Sequence, residues 1–158
     1  MKIDLLIIEG QKPTWSQEPM ELFAKKIKPF VEFNVVILKS KKLRRDNKEE
    51  KIKYEEELLL NYLKKSSAYN ILFDEKGKSF KDSREFSKNI QNIFERGQSK
   101  INFIIGGPYG VSDKIRETVQ LRVSLSGLTF NHHVASVVVM EQIYRALSIW
   151  KGLPYHND

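Results

Sequence analysis

The sequence predicts an α/β fold, a mainly parallel sheet of five to six strands flanked by helices, and three observations predict it. Short apolar runs alternate with helical patterns along the whole chain, as in repeated strand–helix–strand units. The 158 residues are 41% hydrophobic, which suffices for a globular core and matches the length of one domain, 1–158. Three of the apolar runs also end in loops that carry glycine, at the end of a parallel strand where α/β sheets bind ligands.

Residues 3–8 form the first strand, an apolar run interrupted only by Asp4, and a helix follows near 16–28. A second strand spans 33–38 and leads through a strongly basic segment into a helix near 46–64. The third strand, 71–73, precedes the clearest helix, near 82–96. Asp82 can cap it, Glu85 stands three residues on as in a capping box, and Phe86, Ile90, Ile93 and Phe94 share one face before Gly97. Strands at 103–105 and 123–125 bracket a helix near 111–119. The last helix, near 133–150, is different: between Val134 and Trp150 its only charges are Glu141 and Arg145, spaced for an ion pair. Apolar residues cover most of its circumference, more than one buried face consumes, so a second face is expected to meet another copy of the chain in a homodimer.

Composition narrows the function. Twenty-seven Lys and Arg against 20 Asp and Glu leave a net charge of +7, and the absence of cysteine excludes disulfides, thiolate metal sites and a cysteine nucleophile. No apolar run approaches the ~18 residues of a membrane span, and the first strand has no cleavage site behind it, so a cytoplasmic protein is expected. The charge is concentrated: eleven cations and four acids lie between Lys25 and Lys53, and Lys39, Lys41, Lys42, Arg44 and Arg45 fall within seven residues. Such a cluster suits a polyanion such as a nucleic acid, and equally suits a solvated loop.

The three strand-end loops are Asp74-Glu75-Lys76-Gly77-Lys78, Gly106-Gly107-Pro108-Tyr109-Gly110 and Ser126-Gly127-Leu128-Thr129-Phe130-Asn131. Neither the Walker spacing nor the dinucleotide pattern G-x-G-x-x-G is present. Taken together, with Leu128 and Phe130 as an apolar rim, the loops suit a nucleoside-like ligand held through backbone groups.

At these residues the chain resembles a known family. The segments Ile104–Gly110, Ser124–Phe130, Glu141–Ala146 and the terminal Pro154-Tyr155-His156 are similar to the RlmH family, SPOUT-class methyltransferases that methylate N3 of a pseudouridine in 23S ribosomal RNA. The resemblance covers essentially the whole chain. It implies an α/β knot, in which the C-terminal segment forms a trefoil, a homodimer, S-adenosylmethionine (SAM) as methyl donor and the ribosome as substrate. It also implies cofactor contacts from Leu72 and Phe73, from Gly106 and Gly107, and from Leu125, Ser126, Gly127, Leu128, Thr129, Phe130 and Asn131. Two positions depart from the family pattern: Asn131 replaces a proline and Ser136 an arginine, leaving another cation, Arg145 among them, to substitute.

The target nitrogen carries a proton that has to leave, so a base titrating near neutrality is expected, and His132, His133 and His156 are the candidates. Tyr155 and His156 are expected to reach the site, of the same or the partner subunit, and to orient the base. Arg145 is read as the partner of Glu141 and as a possible phosphate contact. No metal is expected, because no acid stands at ligand spacing to the histidines. A ribosome-binding protein of the same fold without turnover, and a SPOUT methyltransferase with another RNA target, are the alternatives.

Overall fold

Both faces of the first strand are apolar, so both have to be covered, and the chain covers them with helices from alternate crossovers. The computed structural model describes residues 1–9, 15–42, 47–65 and 67–157. The order is β1 (Lys2–Glu9), α1 (Gln17–Ile27), β2 (Glu32–Lys39), α2 (Lys48–Leu63), β3 (Tyr69–Ser79), α3 (Ser83–Glu95), β4 (Lys100–Ile105), α4 (Asp113–Thr118), β5 (Leu121–Ser124) and α5 (His132–Trp150). The five strands form one sheet in the order β2-β1-β4-β3-β5, every pairing parallel. Among the described residues no helix is long and apolar enough to cross a membrane.

Alternation along the strands divides the core in two. Ile3, Leu5, Ile7, Ile71, Ile101 and Phe103 point to the larger half, which α1, α3 and α5 complete with Ile27, Phe86, Ile90, Met140 and Ile143. Leu6, Ile8, Leu72 and Ile104 point to the smaller half with Leu59 and Leu63 of α2 and Ile115 of α4. The predicted cap of α3 is present: Asp82 accepts from the Glu85 amide at 2.8 Å, while Glu85 accepts from the Lys81 amide at 2.7 Å.

A polar row crosses the amino-terminal end of the sheet. Asn34, Asp4, Asn102 and Asn70 stand at one register level on four neighbouring strands. Asp4, almost fully buried, accepts from Asn34 and Tyr62, each at 2.9 Å, and pairs with Lys100 at 2.7 Å. Burial pushes its carboxyl up, but hydrogen bonds from Lys100, Asn34 and Tyr62 outweigh burial and hold it below the ordinary value. Burial and the bond to Asp4 push the Tyr62 hydroxyl up to about 12.

One feature departs from the expectation. β3 does not stop at Phe73: it continues through Asp74–Lys78, because Lys78 and Ser79 pair with Val123 and Ser124. Val123 is thus paired with β3 twice, at Phe73 and again at Lys78. Gly77 passes so close to β5 that a Cβ on it would lie 2.5 Å from the Val123 nitrogen. α5 turns Val139, Met140, Ile143 and Leu147 inward and leaves Val134 exposed.

Candidate active site: a cleft at the carboxyl ends of the strands

The three loops meet. Together they wall a cleft of about 630 Å³ at the carboxyl ends of β3, β4 and β5, within the range of small-molecule sites. Phe73, Asp74 and Lys76 come from the first, Gly106 through Gly110 from the second, and Leu125, Ser126, Leu128, Thr129, Phe130 and Asn131 from the third. Local hydrogen bonds set each loop. Gly110 donates its amide to the Gly107 carbonyl at 2.9 Å, closing a tight turn over Pro108 and Tyr109. In the third loop the Ser124 hydroxyl donates to the Ser126 carbonyl at 3.0 Å and the Leu128 amide to the Ser126 hydroxyl at 3.0 Å. Asn131 then caps α5 by accepting from the His133 amide at 2.9 Å, so the residue that replaces a family proline serves as a helix cap.

Arg116, in the last turn of α4, ties the first loop to that helix. Its Nε donates to Asp74 at 2.8 Å and its Nη1 to Asp113 at 2.9 Å. Burial raises the Asp74 carboxyl, but the Lys76 amide and the Arg116 guanidinium more than offset this and keep it ionised at neutral pH. Beneath the second loop lies Glu55 of α2, almost fully buried. It accepts a very short hydrogen bond from Ser40, and its other oxygen has no partner among the described residues. Burial pushes its carboxyl up despite the Ser40 bond and nearby Lys51.

The expected residues fall into three groups. Phe73, Gly106, Gly107, Leu125, Ser126, Leu128, Thr129, Phe130, Asn131 and His132 line the cleft. Leu72 and Gly127 do not: Leu72 is packed in the smaller half of the core, because its neighbour Phe73 takes the opposite face of the strand. Tyr155, His156 and Arg145 form a separate cluster on α5. Arg145 donates to Glu141 from Nε at 3.0 Å and Nη2 at 2.5 Å, Tyr155 donates to the same oxygen at 3.0 Å, and Arg145 Nη1 lies 3.2 Å from His156 Nδ1. Glu141 lies nine residues along α5 from His132, about 13 Å at the helical rise. One protomer therefore does not bring its four expected catalytic residues together.

Within the cleft His132 is held in its neutral form: burial, then the charges of His133 and Lys51, lower it to about 4. That makes it a weak proton acceptor at neutral pH. Ser136 is buried, and its hydroxyl donates to the His132 carbonyl at 2.8 Å, so the residue that replaces a family arginine faces inward. Lys39, the last residue of β2, and Lys41 and Lys42 beyond it are exposed, with Lys41 Nζ 4.5 Å from the Tyr54 ring centre, while Arg44 and Arg45 lie outside the described residues. Lys48, Arg116 and Glu55 were missed by the sequence reading. Lys48 and Arg116 reach the cleft from α2 and α4, Glu55 lies buried beneath its second loop, and no local signal marks them.

An open parallel sheet with a cleft of backbone-lined loops at its carboxyl edge defines a class, the α/β proteins that bind nucleotide-like cofactors. Comparison with known proteins makes the class specific. Residues 1–156 match the family described as "Predicted SPOUT methyltransferase". The chain is 41% identical to the ribosomal RNA large subunit methyltransferase H of Bdellovibrio bacteriovorus over 157 residues, 99% of each chain. It is 37% identical to the protein of the same name from Halothermothrix orenii, over 99% of this chain and 100% of that one. Among solved structures, a Bacillus anthracis protein described as an RNA methyltransferase superposes with a TM-score of 0.57 at 11% identity, covering 98% and 99% of the two chains. The Legionella pneumophila protein Lpg2936, solved with bound SAM, gives 0.51 at 12% identity, covering 92% of this chain and 66% of that one. The chain belongs to the SPOUT methyltransferase family.

Proposed function

We propose that this protein transfers the methyl group of SAM to N3 of a pseudouridine in 23S ribosomal RNA, acting in the cytoplasm on the assembled ribosome as a homodimer. The observation that carries the reading is the convergence of three strand-end loops on one cleft in a chain 31–41% identical over its length to proteins named large-subunit rRNA methyltransferase H. The cleft suits the cofactor. A Cβ on Gly107 would stand 2.6 Å from Glu55 and one on Gly106 2.7 Å from Val111, so both loop residues are kept without side chains and the loop backbone forms the wall. Leu128 and Phe130 are exposed at the rim, where an adenine ring needs apolar surface.

When bound, SAM supplies an electrophilic methyl on a sulfonium centre, and the protein's task is alignment and proton removal. Phe73, Gly106, Gly107 and the residues from Leu125 to Asn131 hold the cofactor. Neutral His132 lends a hydrogen bond rather than taking the proton. Tyr155 and His156, anchored by Glu141 and Arg145, orient the base, and His156 receives its proton in the cleft of the partner subunit. Two observations support that assignment: the tail cluster lies too far along α5 from His132 to serve its own cleft, and Val134 on the same helix is left exposed. Lys39, Lys41, Lys42, Arg44 and Arg45 grip RNA phosphates beside the site.

Mass mapping of 23S rRNA from a strain lacking the gene tests the reading: one pseudouridine should lose a methyl group, and purified protein with SAM should restore it. His156→Ala should abolish transfer while calorimetry shows SAM binding intact. SAM binding by the wild type without any transfer would point instead to a ribosome-binding role.

A further inference from the structure

The basic segment between β2 and α2 contains no interleaved aromatic, the usual partner of cations in single-stranded nucleic-acid sites. The fold supplies one from elsewhere. Tyr109, in the turn that Gly107 and Gly110 close, projects from the cleft wall with 36% of its surface exposed. Lys48 and Lys51, one turn apart on α2, bring their ammonium groups to 5.8 and 5.5 Å from its ring centre. Lys48 also lines the cleft, and Lys51 is near enough to His132 to act on its charge. Among the described residues neither lysine has a carboxylate partner within ion-pair distance. Two like charges on one helix face repel each other, and an anion between them relieves the repulsion.

We propose that Tyr109, Lys48 and Lys51 form a nucleotide subsite at the mouth of the cleft, where the ring stacks on a base flanking the target and the lysines hold its phosphate. This rests on the RNA methyltransferase reading. The platform is preorganised: the 2.9 Å hydrogen bond from Gly110 to Gly107 fixes the turn, and Gly110 follows with a φ of 77°. Next along α2, Tyr54 lies one turn beyond Lys51 with Lys41 over it at 4.5 Å. Cation–aromatic pairs thus run from the exposed basic segment to the cleft, a path that a single strand can follow into the site.

The test uses full-length wild type, Tyr109→Ala, Tyr109→Phe and the double variant Lys48→Gln/Lys51→Gln, with ribosomes from a strain lacking the gene. Methyl transfer gives KM for ribosomes, filter binding to the same ribosomes across salt gives affinity without turnover, and calorimetry gives SAM affinity. Tyr109→Ala should raise the ribosome KM and weaken ribosome binding roughly 5- to 100-fold, the range that stacking on one base supports. Tyr109→Phe should stay within about twofold of wild type, since the ring and not the hydroxyl does the stacking. The double lysine variant should flatten the log–log salt dependence by about 0.7, the share of the one phosphate the two lysines hold. SAM affinity should stay within about twofold throughout, because the subsite lies outside the cofactor's own contacts. Ribosome binding by Tyr109→Ala equal to wild type, or an equal loss of SAM affinity, overturns the subsite. Absence of transfer by the wild type itself would overturn the methyltransferase reading, and the binding arm would still decide the subsite.

Discussion

The unpartnered oxygen of Glu55 stands where a side chain on Gly107 would have to be, 2.6 Å from the position of its Cβ. A buried carboxylate on α2 therefore backs the second loop of the cleft, and Ser40, just after β2, holds that carboxylate in place. Gly107→Ala should cost about 1–3 kcal/mol through overpacking and weaken binding of the product S-adenosylhomocysteine. The cost should shrink in a Glu55→Ala background, because the two atoms that collide are then no longer both present. Urea unfolding of the four proteins of this cycle checks it, and an equal cost in both backgrounds would separate the two residues.

The same carboxylate should make stability fall with pH. Burial raises the Glu55 pKa above its ordinary 4.5 in the folded chain, so the folded state holds the proton more tightly than the unfolded state. That stability is fully present below about 4.5 and is lost as pH rises through the folded value. Glu55→Gln should remove this slope and gain on the wild type at pH 8 relative to pH 5. Parallel urea midpoints for the two proteins across that range would contradict it.

His132 should titrate near 4. Its pKa is lowered from 6.5 to about 4, so its contribution to stability is present above 6.5 and is lost as pH falls toward 4. An imidazole resonance assigned through His132→Gln should move with a midpoint near 4, and the alkaline range of the methyl-transfer profile should be the same in wild type and variant. A midpoint near 6.5 would return His132 to the set of proton acceptors.

Asp4 should matter for stability and not for the cleft, because its network occupies the opposite end of the sheet. Asp4→Ala leaves Lys100, Asn34 and Tyr62 without their common partner and should cost about 3–5 kcal/mol, with Asp4→Asn costing less. Its lowered pKa stabilises the folded chain above 3.8, and that contribution is lost as pH falls through the folded value. Urea denaturation gives the cost. S-Adenosylhomocysteine affinity, measured where the variant is folded, should be unchanged.

The sequence foretells all five strands and five helices and misplaces only their ends. Apolar runs and amphipathic periods are local signals, and the two halves of the core select for them residue by residue. The exception is β3, whose extension through Lys78 owes nothing to its own polar sequence and depends on pairing with β5. The three loops are legible for the same local reason, since glycine and small polar residues mark turns. Lys48, Arg116 and Glu55 are not, because a charged residue on a helix looks the same in sequence whether it faces solvent or a cleft. The Tyr155–Glu141–Arg145 cluster was half visible: the i,i+4 pair is a sequence feature, whereas the fold-back of the tail onto it is not.

The double engagement of β5 also dates the cleft. Val123 needs both Phe73 and Lys78, and the third loop and His132 follow it in the chain. A growing polypeptide long enough to form β1 through β4 has two walls of the cleft and no third. The complete cleft therefore exists only once β5 and the third loop are made, and the tail that carries Tyr155 and His156 follows later still. A shortened product ending before β5 would keep most of the sheet yet hold no cofactor.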